Sequence, residues 1–366
     1  MQGAARDAWQ VMAAREAVAR IPSSSGMRLL LARLLELADS EAEPKAAAVG
    51  PRLMAYGRAL ETLGEWGLAA DVYTSATDVV PADLDLELLA DAQARLAYVE
   101  RMRARWDEAD LAIQRASALA GRLGDARRVL RLKVSSANVQ LNRGRLDRAE
   151  DILGETLALS AIMGGEVHSE VLHARGELDY DRRNPRGALE WFERALGSSP
   201  SEIGRERLLL NISAAALDLG ARTVARDALL VLAVTAQTSN TRWLAVVNLI
   251  EVATLDRNEL VFEQYRRELA AESLPPRTAA YFAIYEGHGY RAFGRTEAAR
   301  LSYERAASLA VEHQLDRVAR DAAGALSALE SHVSELRPKA ETALPASLLA
   351  LAARVRALRE EAVGAA

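Results

Sequence analysis

The feature that most constrains the fold is a spaced triplet of residues that recurs along most of the chain. Its clearest copy lies in 181–200 (DRRNPRGALEWFERALGSSP), where Ala188, Phe192 and Ala195 fall four and three residues apart on one face of a predicted helix, followed by Pro200. Matching triplets begin at Ala69, Ala109, Ala149, Ala225, Val261 and Ala299. Successive triplets start 40, 40, 39, 37, 36 and 38 residues apart. A period of this length predicts stacked helical repeats.

Each triplet is assigned to the second helix of a helical hairpin. The most degenerate copy is Val261, Tyr265 and Glu268. Glycine stands where several first helices must end, and it tolerates the positive φ of such a turn. These turn glycines are Gly64, Gly144, Gly220 and Gly294. Small residues, which let two helices cross closely, occupy the first helices at Gly57, Ala97, Ala137, Gly176, Ser213 and Gly287.

This register resembles the tetratricopeptide repeat (TPR), which has a small residue in the first helix and Ala, an aromatic residue, Ala and Pro in and after the second. The resemblance spans 50–310, with units about one helical turn longer than the usual 34 residues. It is carried by Tyr56, Gly57, Ala69, Tyr73, Ala76 and Pro81, and by Gly176, Ala188, Phe192, Ala195 and Pro200. The long units also resemble the helical sensor arms of bacterial STAND-type regulators. The resemblance implies an all-α, right-handed α-solenoid (superhelix) of about 7–8 TPR-like hairpins.

The domain prediction follows from this register. It comprises an N-terminal hairpin or cap over 1–44, a repeat array over 45–313, a capping helix over 314–336, a linker over 337–345 and an amphipathic helix over 346–366. Near the C-terminus, apolar residues alternate at spacings of four and three, the period of a narrow helical seam. The seam residues are Leu344, Leu348, Leu351, Val355, Leu358 and Ala362. This helix is expected to need a partner.

The candidate binding residues come from the TPR resemblance, which implies that the first helices line a concave groove. The expected groove residues are Arg58, Tyr98, Arg101, Arg131, Asn138, Asn142, Glu170, His173, Glu177, Tyr180, Arg207 and Trp243. The resemblance also places Met54, Glu61, Asp91, Asp181, Tyr281, His288 and Arg291 on this face. Arginines precede carboxylates along the groove, an arrangement that would orient an extended peptide by charge. A water-facing concave surface is equally expected to be polar without binding anything.

Composition narrows the function classes. The 46 basic and 51 acidic residues leave a net charge of -5, which disfavours direct nucleic-acid binding. All but three basic residues are Arg, which indicates either an Arg-rich bacterial genome or a groove suited to carboxylates. The absence of cysteine excludes disulfides and thiolate sites. No phosphate-binding loop, grouped histidine set, signal-peptide core or membrane span is recognisable, so no cofactor or metal and a cytoplasmic location are expected.

The predicted function is a non-catalytic scaffold or sensor that binds a peptide or protein segment in the concave groove. The alternatives are a regulatory domain of a larger signalling, transcriptional or enzyme complex, and an adaptor that self-associates or inhibits itself through the C-terminal helix. A homodimer through that helix is therefore one expected form.

Overall fold

A computed structural model describes residues 2–22, 25–38, 46–81, 84–313, 315–331, 341–342 and 344–365. These residues form helices, with no strand among them. The elements are α1 (Gln2–Ala19), α2 (Gly26–Ala38), α3 (Ala46–Leu63), α4 (Trp66–Val79), α5 (Leu86–Met102), α6 (Trp106–Leu123), α7 (Ala126–Asn142), α8 (Leu146–Met163), α9 (Gly165–Asp181), α10 (Pro185–Gly197), α11 (Glu202–Asp218), α12 (Arg222–Thr235), α13 (Ser239–Leu255), α14 (Glu259–Ala270), α15 (Pro276–Ala292), α16 (Thr296–Glu312), α17 (Asp316–Glu330), a 3₁₀ turn (Ala346–Leu348) and α18 (Leu349–Ala365).

The chain divides into two compact units. Unit 1 is Met1–Met163 and holds α1 to α8, whereas unit 2 is Gly164–Ala366 and holds α9 to α18. Within each unit, successive helices pack pairwise as hairpins. First helices also contact first helices, as α3, α5 and α7 do in unit 1 and α13, α15 and α17 do in unit 2. Each unit is therefore a layered stack of helical hairpins, in agreement with the predicted all-α class.

The predicted crossing of small and aromatic residues is present in both units. Tyr73, Phe192 and Tyr303 are fully buried on their second helices. A Cβ added at Gly57 would lie closer than 3.0 Å to the Tyr73 ring, and Gly176 and Gly287 stand in the same relation to Phe192 and Tyr303. Glycine therefore makes room for the ring. The hairpins are TPR-like, as predicted.

The same type of backbone turn follows the first helix of seven hairpins among the described residues. Residues at this position have positive φ, namely Gly64, Ala104, Gly144, Arg183, Gly220, Arg257 and Gly294. The next N–H bonds a carbonyl five residues back, as from Glu65 to Leu60 at 3.0 Å and from Asn184 to Asp179 at 2.9 Å. This Schellman bond satisfies a carbonyl that the helix end leaves open. The four predicted turn glycines are confirmed, and three non-glycine residues adopt the same conformation.

The triplet predicted at Val261, Tyr265 and Glu268 is wrong. The buried residues of α14 are Phe262 and Leu269, one position later in each case, while Glu268 is exposed. The cause is Gly289 on α15, where a Cβ would lie closer than 3.0 Å to the Phe262 ring. The absent side chain admits the ring, so α14 packs with its buried face one residue further along.

The ends of the array are described in part. In unit 1, α1 packs on α2 and α2 on α3, while in unit 2 α17 packs on α15 and α16. The boundary predicted at 44/45 lies outside the described residues, as do residues 332–340, which include four of the nine residues of the predicted linker. Among the described helices, none has the length and apolar character needed to cross a bilayer.

Candidate functional site

Unit 1 brings three of its predicted groove residues together. The Arg101 guanidinium lies 5.2 Å from the centre of the Tyr98 ring, and its Nη1 donates to Asn142 Oδ1 at 2.9 Å. The Trp66 ring meets Tyr98 edge-on at 6.0 Å. These contacts join α5 to α7 and α4, so the Tyr98 ring is held by neighbours on two sides.

The other unit 1 candidates are dispersed along their helices. Arg58 is exposed on α3 and Arg131 on α7. Asn138 lies on α7 between Arg131 and Asn142, and its Oδ1 is buried with no hydrogen-bond partner among the described residues. The sequence-based grouping of Arg58, Arg101 and Arg131 as one basic surface stays a prediction.

Unit 2 contains a hydrogen-bonded group centred on Asn211. Asn211 Nδ2 donates to His173 Nε2 at 2.8 Å and to Glu177 Oε1 at 3.2 Å, which ties α11 to α9. The His173 ring also meets Phe192 edge-on at 5.6 Å. Burial lowers the pKa of His173, an effect that Glu177 opposes and Arg207 reinforces. The imidazole is therefore neutral at pH 7 and accepts the Asn211 amide proton at Nε2.

Two further pairs, each of a tyrosine and a carboxyl group, lie on first helices of unit 2. Tyr180 on α9 hydrogen-bonds Asp218 on α11, and Tyr285 on α15 hydrogen-bonds Glu251 on α13. Burial raises the pKa of Tyr180 to about 12, with the Asp218 bond as the next cause. Burial also raises the pKa of Glu251 to about 7, to which the nearby Asp218 charge adds. Four consecutive first helices thus present one polar and aromatic surface. We call it the unit 2 inner face, formed by His173, Glu177, Tyr180, Asn211, Asp218, Glu251 and Tyr285.

Two carboxyl groups of this face, those of Asp218 and Glu251, have no direct ion pair within the described part of the chain. Within the described residues, no Arg or Lys nitrogen lies within 4.0 Å of the Asp218 or Glu251 carboxylate. Their hydrogen bonds come from neutral tyrosine hydroxyls, while Arg183 and Arg317 act on those tyrosines by charge alone. Like charges then raise one another's pKa, as Glu177 does for Asp181 after the larger effect of burial.

Three other residues of unit 2 were predicted, and one of them, Arg207, acts on His173 by its charge. Glu170 is partly buried on α9 and Arg207 is exposed on α11. Trp243 packs against the apolar cluster around Val246, Val247 and Phe262, and its Nε1 is buried with no hydrogen-bond partner among the described residues. Its ring is therefore largely occupied by packing within the unit.

Four members of the unit 2 inner face were not predicted: Asn211, Asp218, Glu251 and Tyr285. A signal for Glu251 is present, because it interrupts the apolar helix α13 between the buried Ile250 and Val252. A charged residue at such a place requires a polar environment on one side. Asn211 and Asp218 fall four and eleven residues after Arg207, on the same helical face.

Comparison with known proteins gives structural similarity only. No family model and no curated protein matches the chain. One similar solved structure is a tetratricopeptide repeat protein from Parabacteroides merdae ATCC 43184, with 15% identity, a TM-score of 0.47, and coverage of 77% of this chain and 98% of that one.

Two further structures have lower TM-scores. BtubC (BKLC) from P. vanneervenii has 16% identity and a TM-score of 0.39, covering 74% of this chain and 92% of that one. A Rap protein complexed with Competence and Sporulation Factor has 12% identity and a TM-score of 0.42, covering 95% and 91%.

Proposed function

We propose that the chain is a non-catalytic protein-interaction scaffold or sensor that binds an extended peptide or protein segment along its first helices. The principal site is the unit 2 inner face. The observation that carries the proposal is the row of polar and aromatic side chains on α9, α11, α13 and α15, in which hydrogen bonds join α9 to α11 and α13 to α15. These bonds fix the side chains before a ligand arrives, which reduces the entropy lost on binding.

The charge of this face indicates the chemistry of the ligand. Glu177 and Asp218 present carboxylates that accept hydrogen bonds from neutral groups, and Glu251, whose pKa is about 7, adds a third negative charge as pH rises above 7. A lysine or arginine side chain on the bound segment would supply the missing positive charge. Tyr180 and Tyr285 offer rings for the apolar part of such a side chain. The favoured ligand is therefore a segment with at least one basic residue.

The proposal is tested by selecting linear peptides from a random library against the full chain. We expect the binders to be enriched in Lys and Arg, and a Tyr180→Ala, Tyr285→Ala double variant to bind them at least tenfold more weakly, about 1.4 kcal/mol. Arg300→Ala is the matched control, because Arg300 lies on the second helix α16 and pairs with Glu297 and Glu304 of the same helix. Thermal unfolding checks that each variant is folded.

The same peptides test the predicted basic residues of unit 1. An Arg58→Ala, Arg101→Ala, Arg131→Ala variant should weaken binding of any ligand that carries carboxylates. If the selected peptides bind the double tyrosine variant and the triple arginine variant as tightly as the original chain, the first helices are not the binding surface and the proposal fails.

A further inference from the structure

The outer face of α12 differs from that of the other second helices. Two residues after the register alanine, the other second helices that have this alanine carry residues in contact with solvent, namely Asp71, Leu111, Asp151, Glu190 and Leu301. The corresponding residue of α12 is Asp227, whose side chain is only 5% exposed. Six residues after the alanine, the others carry exposed Ser75, Arg115, Glu155, Arg194 and Arg305, whereas α12 has the buried Val231. The outer face of α12 is therefore built to be covered.

The cover is the C-terminal segment of the same chain. α18 packs on α12 and on α10, and the 3₁₀ turn before it also packs on α10. Leu348, Leu351 and Val355 are fully buried. The seam predicted from the sequence thus faces the second helices of unit 2, and its apolar side is already occupied within one chain.

Polar contacts set the position of this segment along its whole length. At its start, Thr342 N donates to Gly220 O at 3.0 Å. Ser347 Oγ donates to Glu190 Oε1 at 3.1 Å, and near its end Arg359 Nη1 pairs with Asp227 Oδ1 at 2.7 Å. Asp227 is buried, so the loss of Arg359 would leave a desolvated carboxylate without its counter-ion. The surface therefore recognises a helix with an arginine at one defined position.

These contacts restrict how two copies can associate through the C-terminal helix. Two such helices cannot pair by their apolar seams while each seam is buried on its own α12, because undocking would expose Leu348, Leu351 and Val355. An exchange, in which each copy's helix docks on the other copy's α10 and α12, remakes every one of these contacts. Exchange of identical elements is a low-cost route to a dimer.

We propose that the outer face of α10 and α12 also accepts the C-terminal helix α18 of a second copy of this chain. At high concentration, copies associate by reciprocal exchange of their C-terminal helices. The surface is separate from the first helices and does not depend on the proposed peptide site.

A charge swap tests the exchange in the full chain. Asp227→Arg and Arg359→Asp each place like charges together when a chain docks its own helix. In an equimolar mixture, reciprocal exchange restores both opposite-charge pairs. We expect light scattering and native mass spectrometry to show heterodimers in the mixture and at least tenfold fewer dimers in either variant alone. The chain that carries both substitutions is the control, since it regains the pair internally and should be as stable and as monomeric as the original.

A second measurement keeps the original charges. The chain has no cysteine, so Asp227→Cys copies mixed with Arg359→Cys copies can form a disulfide only between molecules. Leu301→Cys is the matched control, because Leu301 occupies the same register position on α16 and is 55% exposed. A cross-linked yield several times that of the control supports exchange. A yield equal to the control, together with a charge-swap mixture that stays monomeric at about 100 µM, overturns it.

Discussion

The first helices of the two units carry charge in different ways. In unit 1, Arg95 pairs with Glu61 at 3.3 Å and Arg128 with Asp91 at 3.3 Å, so opposite charges compensate between neighbouring first helices. In unit 2, Glu286 on α15 is likewise paired with Arg266 and Arg305, but the carboxyl group of Glu251 on α13 is bonded by a tyrosine hydroxyl instead. Compensated pairs have little remaining attraction for a ligand, whereas an uncompensated carboxylate retains it. The difference favours unit 2 as the place where a charged segment binds.

The first helices of both units pack through the same kind of glycine–ring crossing. Gly57 receives the Tyr73 ring in unit 1 as Gly176 receives the Phe192 ring in unit 2. Inner residues of the first helices also touch this crossing, since Glu61 accepts the Tyr73 hydroxyl and the His173 ring meets Phe192 edge-on. The two units therefore share one kind of helix crossing but carry different charged side chains beside it.

The largest effect is expected at the shared crossing. Gly57→Ala and Gly176→Ala each introduce a Cβ closer than 3.0 Å to a buried ring. Both should lower the free energy of unfolding by about 3 kcal/mol, because a fully buried ring has little space to move. Urea denaturation measures the change. A loss in one variant and none in the other would show that the two cores are not equivalent.

An intermediate effect is expected at Glu251, and it depends on pH. The folded-state pKa of about 7 lies above the ordinary 4.5, so the stability associated with its neutral form is present below pH 4.5 and is lost as pH rises through 7. Glu251→Gln mimics the neutral carboxyl and should raise stability at pH 8 by on the order of 2 kcal/mol, with no gain at pH 4. The Asp218 charge raises the pKa of Glu251 further, and the hydrogen bond from Tyr285 lowers it. Arg317 acts by charge on Tyr285.

The matched variant in unit 1 is Glu61→Gln. Glu61 pairs with Arg95 and accepts the Tyr73 hydroxyl, so its substitution should lower stability at neutral pH rather than raise it. Thermal unfolding from pH 4 to 8 distinguishes the two responses. An equal response of both variants at pH 8 would mean that unit 2 has no uncompensated carboxylate at this position.

The smallest effect is expected for the compensated charge itself. The Arg95 side chain is 45% exposed, so solvent screens its interaction with Glu61. Arg95→Ala should lower the free energy of unfolding by about 0.5 kcal/mol, and less at high salt. Denaturation at two salt concentrations measures this. A loss of unfolding free energy above about 2 kcal/mol would contradict this expectation and show that the Arg95–Glu61 pair is essential for stability.

Much of the hairpin architecture could be predicted because its signals are local. The spacing of Ala188, Phe192 and Ala195 and the turn at Gly64 lie within one hairpin, where helical geometry relates sequence distance to spatial distance. The prediction failed at Val261 because Gly289, on a different hairpin, admits Phe262. It also left out Ala104, Arg183 and Arg257 as positive-φ residues, since side chains are only disfavoured there, not excluded.

The candidate site was predicted less completely. His173, Glu177 and Tyr180 were selected from α9, but their partners Asn211 and Asp218 were not. The TPR resemblance indicates which face of a helix turns inward, yet it does not specify which side chains hydrogen-bond across to the next helix. That choice depends on rotamers and on the distance between α9 and α11.

The sequence alone determined the helical class, the hairpin register and the small-to-aromatic crossings, because each of these arises from periodic contacts between residues close in the chain. Only the tertiary structure decided that Glu251 meets Tyr285 and that Arg359 meets Asp227, the latter two being 132 residues apart. The physical reason is that a buried charge is stable only beside a specific partner, and folding, not sequence spacing, brings that partner into place.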